Sequence, residues 1–169
     1  SASDVRFDGD LRGGKLRLRG ETPRIVVERA GGLRLGAKGD VTLTASADGE
    51  LVLEALHVDG DGLSLSAFGS GGLSPEAPLG LSAEATFDPA RLAPELEATG
   101  SLRIVAKVGG RRAAPTVEAT LEGRDLATKE LAVARATARV RFADGTLLLE
   151  SARADLREGG RVEGEGRFL

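Results

Sequence analysis

Apolar and polar residues alternate along almost the whole of this chain, and no other feature restricts its fold so strongly. Successive side chains of an extended strand point to opposite faces of a sheet, so an alternating run makes one apolar face and one wet face. KLRLRG sets Leu16 and Leu18 against Arg17 and Arg19, and DVTLTASA sets Val41, Leu43, Ala45 and Ala47 against Thr42, Thr44 and Ser46. LGLSAEATF sets Leu79, Leu81, Ala83, Ala85 and Phe87 against Ser82, Glu84 and Thr86. SLRIVAKV supplies Leu102, Ile104, Ala106 and Val108; TVEATLEG supplies Val117, Ala119 and Leu121 opposite Thr116, Glu118, Thr120 and Glu122.

Glycine pairs and Asp-Gly steps punctuate these runs: Gly13-Gly14, Gly31-Gly32, Asp48-Gly49, Asp61-Gly62, Gly71-Gly72, Gly109-Gly110, Asp144-Gly145 and Gly159-Gly160. Tight turns of this composition join antiparallel neighbours, and the spacing predicts roughly ten to twelve strands. Two segments depart from the rhythm. DPARLAPELEA (Asp88 to Ala98) holds two prolines and reads as a loop or a short helical turn near Pro89 to Glu95. ELAVARATARVRF (Glu130 to Phe142) is rich in alanine, a helix former. Its Ala134, Ala136, Ala138, Val140 and Phe142 nevertheless alternate with Arg135, Thr137, Arg139 and Arg141, so it reads as a strand.

The expected fold is therefore all-β, a long and mostly antiparallel sheet. With one apolar face per strand, it either curls over that face or packs as a sandwich. Ala and Gly recur on the apolar side, and the only aromatics are 5 Phe. A closed sandwich filled to native density needs larger residues or very close walls. The two readings are a thin pair of sheets and a trough kept open for an apolar guest.

A net charge of −3 argues against nucleic acid, which calls for a basic surface. Zero cysteines exclude disulfides and thiolate chemistry, and no apolar run is long enough for a membrane helix. Methionine is absent even at position 1, so the reading is an internal segment of a longer protein.

Each candidate site has a plainer explanation. His57 is the single histidine and lacks signalled partners for a triad or metal centre. DGDG (Asp59 to Gly62) shares two positions with a calcium loop but lacks the third oxygen ligand and the closing Glu. GGLRLGAKGD lacks the Gly-Lys-Ser/Thr of a phosphate loop, and FGSGG is not a nucleophile elbow. Arg111 and Arg112 read as a solvated pair in a turn. No enzyme, metal or cofactor is expected.

The last ten residues, GRVEGEGRFL, pose one question. Arg161, Glu163, Glu165 and Arg167 mark the wet face, while Val162, Gly164, Gly166 and Phe168 mark an apolar face that is half empty. Glycine inside a strand often marks a bend or close approach by another group. The strand also ends the chain at Phe168 and Leu169, which predicts an unpaired edge able to join another chain.

Residues 87–169 resemble the TamB/AsmA-like family of bacterial envelope proteins, within the repeating β-groove, bridge-like lipid transfer proteins. The likeness runs through FDPARLAPELEATGSLRIVAKVGG, a proline-interrupted segment and then a strand opening on glycine. It continues in GGRRAAPTVEATLEGRDLA and in LAVARATARVRFADGTLLLESARADLREGGRVEGEGRFL, a meander ending in the Gly-x-Gly strand. Residues 1–86 share the rhythm with weaker landmarks, so the whole of 1–169 is expected to form one β-groove slab.

The resemblance implies a taco-like sheet curled over an apolar groove that passes phospholipid acyl chains between the inner and outer membranes. It implies a periplasmic setting within an inner-membrane-anchored parent. The implied partners are phospholipids, neighbouring groove segments of the parent and an outer-membrane TamA-type barrel. The expected lining is Leu81, Ala83, Ala85, Phe87, Leu102, Ile104, Ala106, Val108, Val117, Ala119 and Leu121, then Ala138, Val140, Phe142, Val162, Gly164, Gly166 and Phe168. At about 0.8 kcal/mol per methylene, a ~16-carbon chain gains up to roughly 12 kcal/mol there relative to water. Relative to a bilayer it gains almost nothing, which suits transit rather than capture. The rival reading is a structural or adhesive β-solenoid or sandwich with a filled core.

Overall fold

The computed structural model describes residues 6–12, 14–28, 34–92, 94 and 97–168. Eleven strands follow one another along the chain: β1 (Arg6–Arg12), β2 (Lys15–Glu28), β3 (Arg34–Ser46), β4 (Glu50–Gly60), β5 (Leu63–Gly72) and β6 (Leu79–Phe87). After a single helical turn, α1 (Pro89–Leu92), come β7 (Thr99–Arg111), β8 (Ala114–Ala127), β9 (Ala132–Ala143), β10 (Thr146–Leu156) and β11 (Arg161–Phe168). All eleven form one sheet in sequence order, each pairing antiparallel to the next. The sheet is not closed into a barrel; β1 and β11 are its edges. A parallel solenoid and a two-sheet sandwich are both ruled out as the fold of these residues.

Turn chemistry explains the meander. Asp144 and Gly145 have φ of 51° and 73°, the left-handed pair that a two-residue hairpin requires. Asp61-Gly62 turns β4 into β5, and Asp59 near the end of β4 accepts a hydrogen bond from the Ser64 hydroxyl at 3.0 Å. Two other expected turns lie elsewhere. Gly71-Gly72 closes β5, paired with Leu51 and Glu50, and Gly109-Gly110 lies within β7, paired with Thr116 and Pro115. The chain reverses instead at residues 73–78 and at Arg112-Ala113, because these glycines serve close strand contacts rather than reversal. Gly13 and Gly31-Gly32 lie outside the described residues, as does Leu169.

The proline-rich segment forms the expected short helix. Asp88 caps it: its carboxylate accepts from the Ala90 N–H at 3.1 Å, its carbonyl from Leu92 at 3.0 Å, and Pro89 occupies the first helical position, where its missing N–H costs nothing. The alanine-rich segment is strand β9.

Among the described residues this single sheet has no second layer over it. The accessible surface is 11,516 Å², against roughly 7,900 Å² for a compact chain of 17.4 kDa. Val133, at 8% exposure, is the only hydrophobic residue buried among those described. Stability therefore rests on the hydrogen-bond ladder and on neighbours along each face, not on a central core.

Candidate functional site

Directly paired residues of an antiparallel ladder share a face, so the register shows what each face carries. One row runs Leu18, Leu43, Leu53, Gly69, Leu81, Val108, Val117, Phe142, Leu147, Phe168, each opposite the next from β2 to β11. The adjacent row runs Val41, Leu56, Ala67, Ala83, Ala106, Ala119, Val140, Leu149, Gly166. A third runs Val58, Leu65, Ala85, Ile104, Leu121, Ala138, Ala152, Gly164. A fourth runs Leu63, Phe87, Leu102, Gly123, Ala136, Ala154, Val162. Every residue expected on the lining falls in these rows, on a single face.

The rows also hold residues that the alternation alone did not assign to the lining. In β4 the apolar phase jumps from Leu51 and Leu53 to Leu56 and Val58; in β10 it jumps from Leu147 and Leu149 to Ala152 and Ala154. Each three-residue step coincides with a β-bulge, at Glu54-Ala55 and at Glu150-Ser151. An inserted residue reverses the facing of everything beyond it, so the bulge returns the apolar residues to the same side. A third bulge corrects β9: Leu156 pairs with Val133 and Asp155 with Arg135, so Val133 rather than Ala134 continues the face of Ala136. Pro23, which cannot donate to a ladder, sits in the irregular step of β2.

The opposite face carries charge, much of it in complementary order, although Arg124 lies opposite Arg135. Ser82, Lys107, Glu118 and Arg141 lie opposite one another in turn, as do Arg103 and Glu122. Arg103 grips Glu84 through Nε and Nη2 at 2.7 and 3.0 Å, and Arg161 meets Asp155 at 2.8 Å. Arg17 pairs with Glu54, which also accepts from the Thr44 hydroxyl at 2.6 Å. Hydrogen bonds from Arg103 hold the Glu84 carboxyl below the ordinary glutamate range; Thr44 does the same for Glu54, and Arg161 for Asp155. The sign follows from linkage. Carboxylates depressed in the fold contribute stability above their unfolded values of roughly 4, and it is lost as pH falls through the lower folded values. Denaturation midpoints from pH 7 to pH 2 are expected to fall most steeply below about pH 4. Glu84→Gln is expected to flatten that fall, and an unchanged slope would refute the role given to this pair.

The glycines of the apolar face differ in what surrounds them. A Cβ on Gly71 would meet Leu79 Cδ2 at 2.9 Å, on Gly123 Leu126 Cδ1 at 2.5 Å, and on Gly166 the Phe168 ring at 3.4 Å. There a neighbouring side chain fills the room the glycine leaves. At Gly164 nothing lies within 4 Å. Of the two glycines in GRVEGEGRFL, one is covered by its own strand's phenylalanine and the other faces open space.

Concavities open on this face among the described residues, two of them as follows. One, of about 330 Å³, is lined across five consecutive strands by Leu102, Leu121, Gly123, Ala136, Ala138, Ala152, Ala154, Val162 and Gly164, with Thr137, Arg153 and Glu163 also bordering it. The other, of about 390 Å³, lies over β3 to β6, lined by Leu43, Leu51, Leu53, Leu79 and Leu81, with Leu73 and Arg112 from the adjoining connections. Both volumes are in the range of small-molecule sites. His57 is exposed on β4, and no group of three acidic or histidine ligands that could hold a metal occurs among the described residues. No family model, curated protein or solved structure matches this chain.

Proposed function

We propose that the sheet curls over its apolar face to form an open groove that holds phospholipid acyl chains and passes them along a lipid-transfer conduit of the bacterial envelope. One observation carries this reading: eleven strands in unbroken order set rows of mostly apolar residues on one face, with Val52, Phe68, Val105 and Leu148 on the other, and no second layer covers the rows among the described residues. An uncovered face of this length is costly in water, about 25 cal/mol for each Å² of apolar surface left wet. Something apolar must lie on it. The lining offers small and branched hydrocarbon with no fixed polar group at its centre, which selects for fluid chains rather than one rigid ligand. Across eleven strands at about 4.8 Å spacing the face runs for roughly 48 Å, longer than one acyl chain and suited to several in file. The resemblance of residues 87–169 to TamB/AsmA-like proteins agrees with this reading, and the proposal extends to a periplasmic setting with neighbouring groove segments at the sheet edges.

The test is native mass spectrometry and lipid extraction of the purified chain after incubation with phosphatidylethanolamine–phosphatidylglycerol vesicles. Photocrosslinking from position 106 on the apolar face is compared with position 118 on the charged face. Bound phospholipid with crosslinks confined to position 106 is expected. A lipid-free protein, or equal crosslinking from both faces, overturns the reading.

A further inference from the structure

Both rims of the sheet carry acidic and basic residues. On the rim holding the β4–β5, β6–β7, β8–β9 and β10–β11 connections, each basic residue with a placed partner is committed to a carboxylate. Arg91 meets Asp88 at 3.3 Å, Lys129 meets Glu97 at 2.7 Å and Arg157 meets Asp125 at 3.0 Å. Asp59, Glu130 and Glu158 add further negative charge there.

On the opposite rim the two arginines of the β7–β8 turn part company. Arg111 is neutralised by Glu76 at 2.7 Å. Arg112 makes no ion pair among the described residues. Its backbone N–H donates to the Ala77 carbonyl at 3.0 Å, and one guanidinium nitrogen donates to the Leu73 carbonyl. Those bonds hold the side chain at the wall of the apolar concavity formed by Leu43, Leu53 and Leu81. A guanidinium carries five N–H donors, so most of the fork stays available. A hydrocarbon bed with one uncommitted cation at its margin is complementary to an amphiphile bearing a single oxyanion.

Building on the lipid reading above, we infer that Arg112 receives the phosphate of a bound phospholipid, so that lipids lie with headgroups at the β5–β6/β7–β8 rim and acyl chains across the rows of Leu53 and Leu81. The phosphate is held at an exposed site, so the contribution is modest and screened by salt.

The experiment titrates the 169-residue chain with palmitoyl-lysophosphatidylglycerol, monopalmitoylglycerol and palmitate, each below its critical micelle concentration. The phosphate-bearing lipid is expected to bind roughly fivefold more tightly than the uncharged one. Arg112→Gln is expected to erase that preference while leaving monopalmitoylglycerol unchanged, and Arg112→Lys to keep most of it. Because Arg112→Gln also removes the bond to Leu73 and can loosen the connection, the wild-type preference is measured again at high salt, where it is expected to shrink. Equal binding of the two lipids to the wild type, or a preference insensitive to both Arg112→Gln and salt, overturns the inference and leaves the groove reading standing. Palmitate with the same Arg112 dependence overturns the assignment to phosphate. Failure of monopalmitoylglycerol to bind the wild type overturns the groove reading and this inference with it.

Discussion

Ala106→Asp and Ala119→Asp are expected to cut lipid crosslinking and lipid co-purification at least tenfold while lowering the melting temperature by only a few degrees. The two alanines lie directly opposite each other, flanked across the ladder by Ala83 and Val140, near the middle of the apolar face. Both are half-buried, and the fold has no second sheet to seal them from water. A carboxylate there keeps part of its hydration. The expected cost is about 1–2 kcal/mol, against the 3–5 kcal/mol typical of an unpaired charge in a dry interior. For a chain of this size that amounts to roughly 2–8 °C in Tm. An acyl chain crossing that row must instead strip the carboxylate of water or detour around it, so the loss falls on lipid rather than on folding. Glu118, on the charged face, supplies the control. Glu118 lies between Lys107 and Arg141, so Glu118→Lys places three cations in line and costs up to about 1 kcal/mol. Glu118→Gln is the milder comparison and is expected to behave like the wild type in both measurements. Outright unfolding by either Ala→Asp change, with no crosslinks from the wild-type apolar face, would instead mark a filled-core protein that packs against further chain.

How far this arrangement could be read from residues alone depended on whether local signals carried it. The all-β class, the antiparallel meander and the strand count near eleven follow from a period of two and from Asp-Gly and Gly-Gly steps, which act over a few residues. Glu130 to Phe142 was decided the same way: period outweighed the helix propensity of its alanines. Bulges were harder to see. In LVLEALHV and TLLLESARADL the alternation slips by one residue, which looks like a broken pattern until the partner strands restore it. Leu53, Leu56, Leu149 and Ala152 join the lining only when β3, β5, β9 and β11 are set beside them. Gly71-Gly72 and Gly109-Gly110 misled for a related reason. Glycine serves reversal and close approach alike, and only the neighbouring strand distinguishes them. Arg112 was the least legible of all, because two adjacent arginines in a turn are chemically identical until one of them finds Glu76.

The glycines supply the sharpest separation between fold and function. Gly69→Ala is expected to be the most destabilising single-methyl change in the sheet. Gly69 has φ of 148°, and a Cβ there would lie 2.1 Å from the Gly80 carbonyl oxygen and 2.6 Å from Leu81 Cα. Backbone cannot yield as a flexible side-chain end can, so β5 and β6 must separate locally, at a cost of about 3 kcal/mol or more. Gly80, on the facing strand, has nothing within 4 Å of its added Cβ, so Gly80→Ala is expected to be neutral or stabilising by about 0.5 kcal/mol. Gly164 has the same freedom but lies on the apolar face beside Ala152, within the five-strand concavity. Gly164→Leu is expected to leave Tm unchanged or raise it slightly, since the larger side chain enters open space and gains apolar contact. The same change fills part of the concavity and is expected to reduce lipid crosslinking from neighbouring Ala152 and Ala138 several-fold. Thermal melts of the three variants beside crosslinking yields decide the matter. A wild-type melt for Gly69→Ala removes the close approach of β5 to β6. A destabilised Gly164→Leu shows that protein already occupies the space beside Gly164, and the acyl chain assigned to it must then go elsewhere.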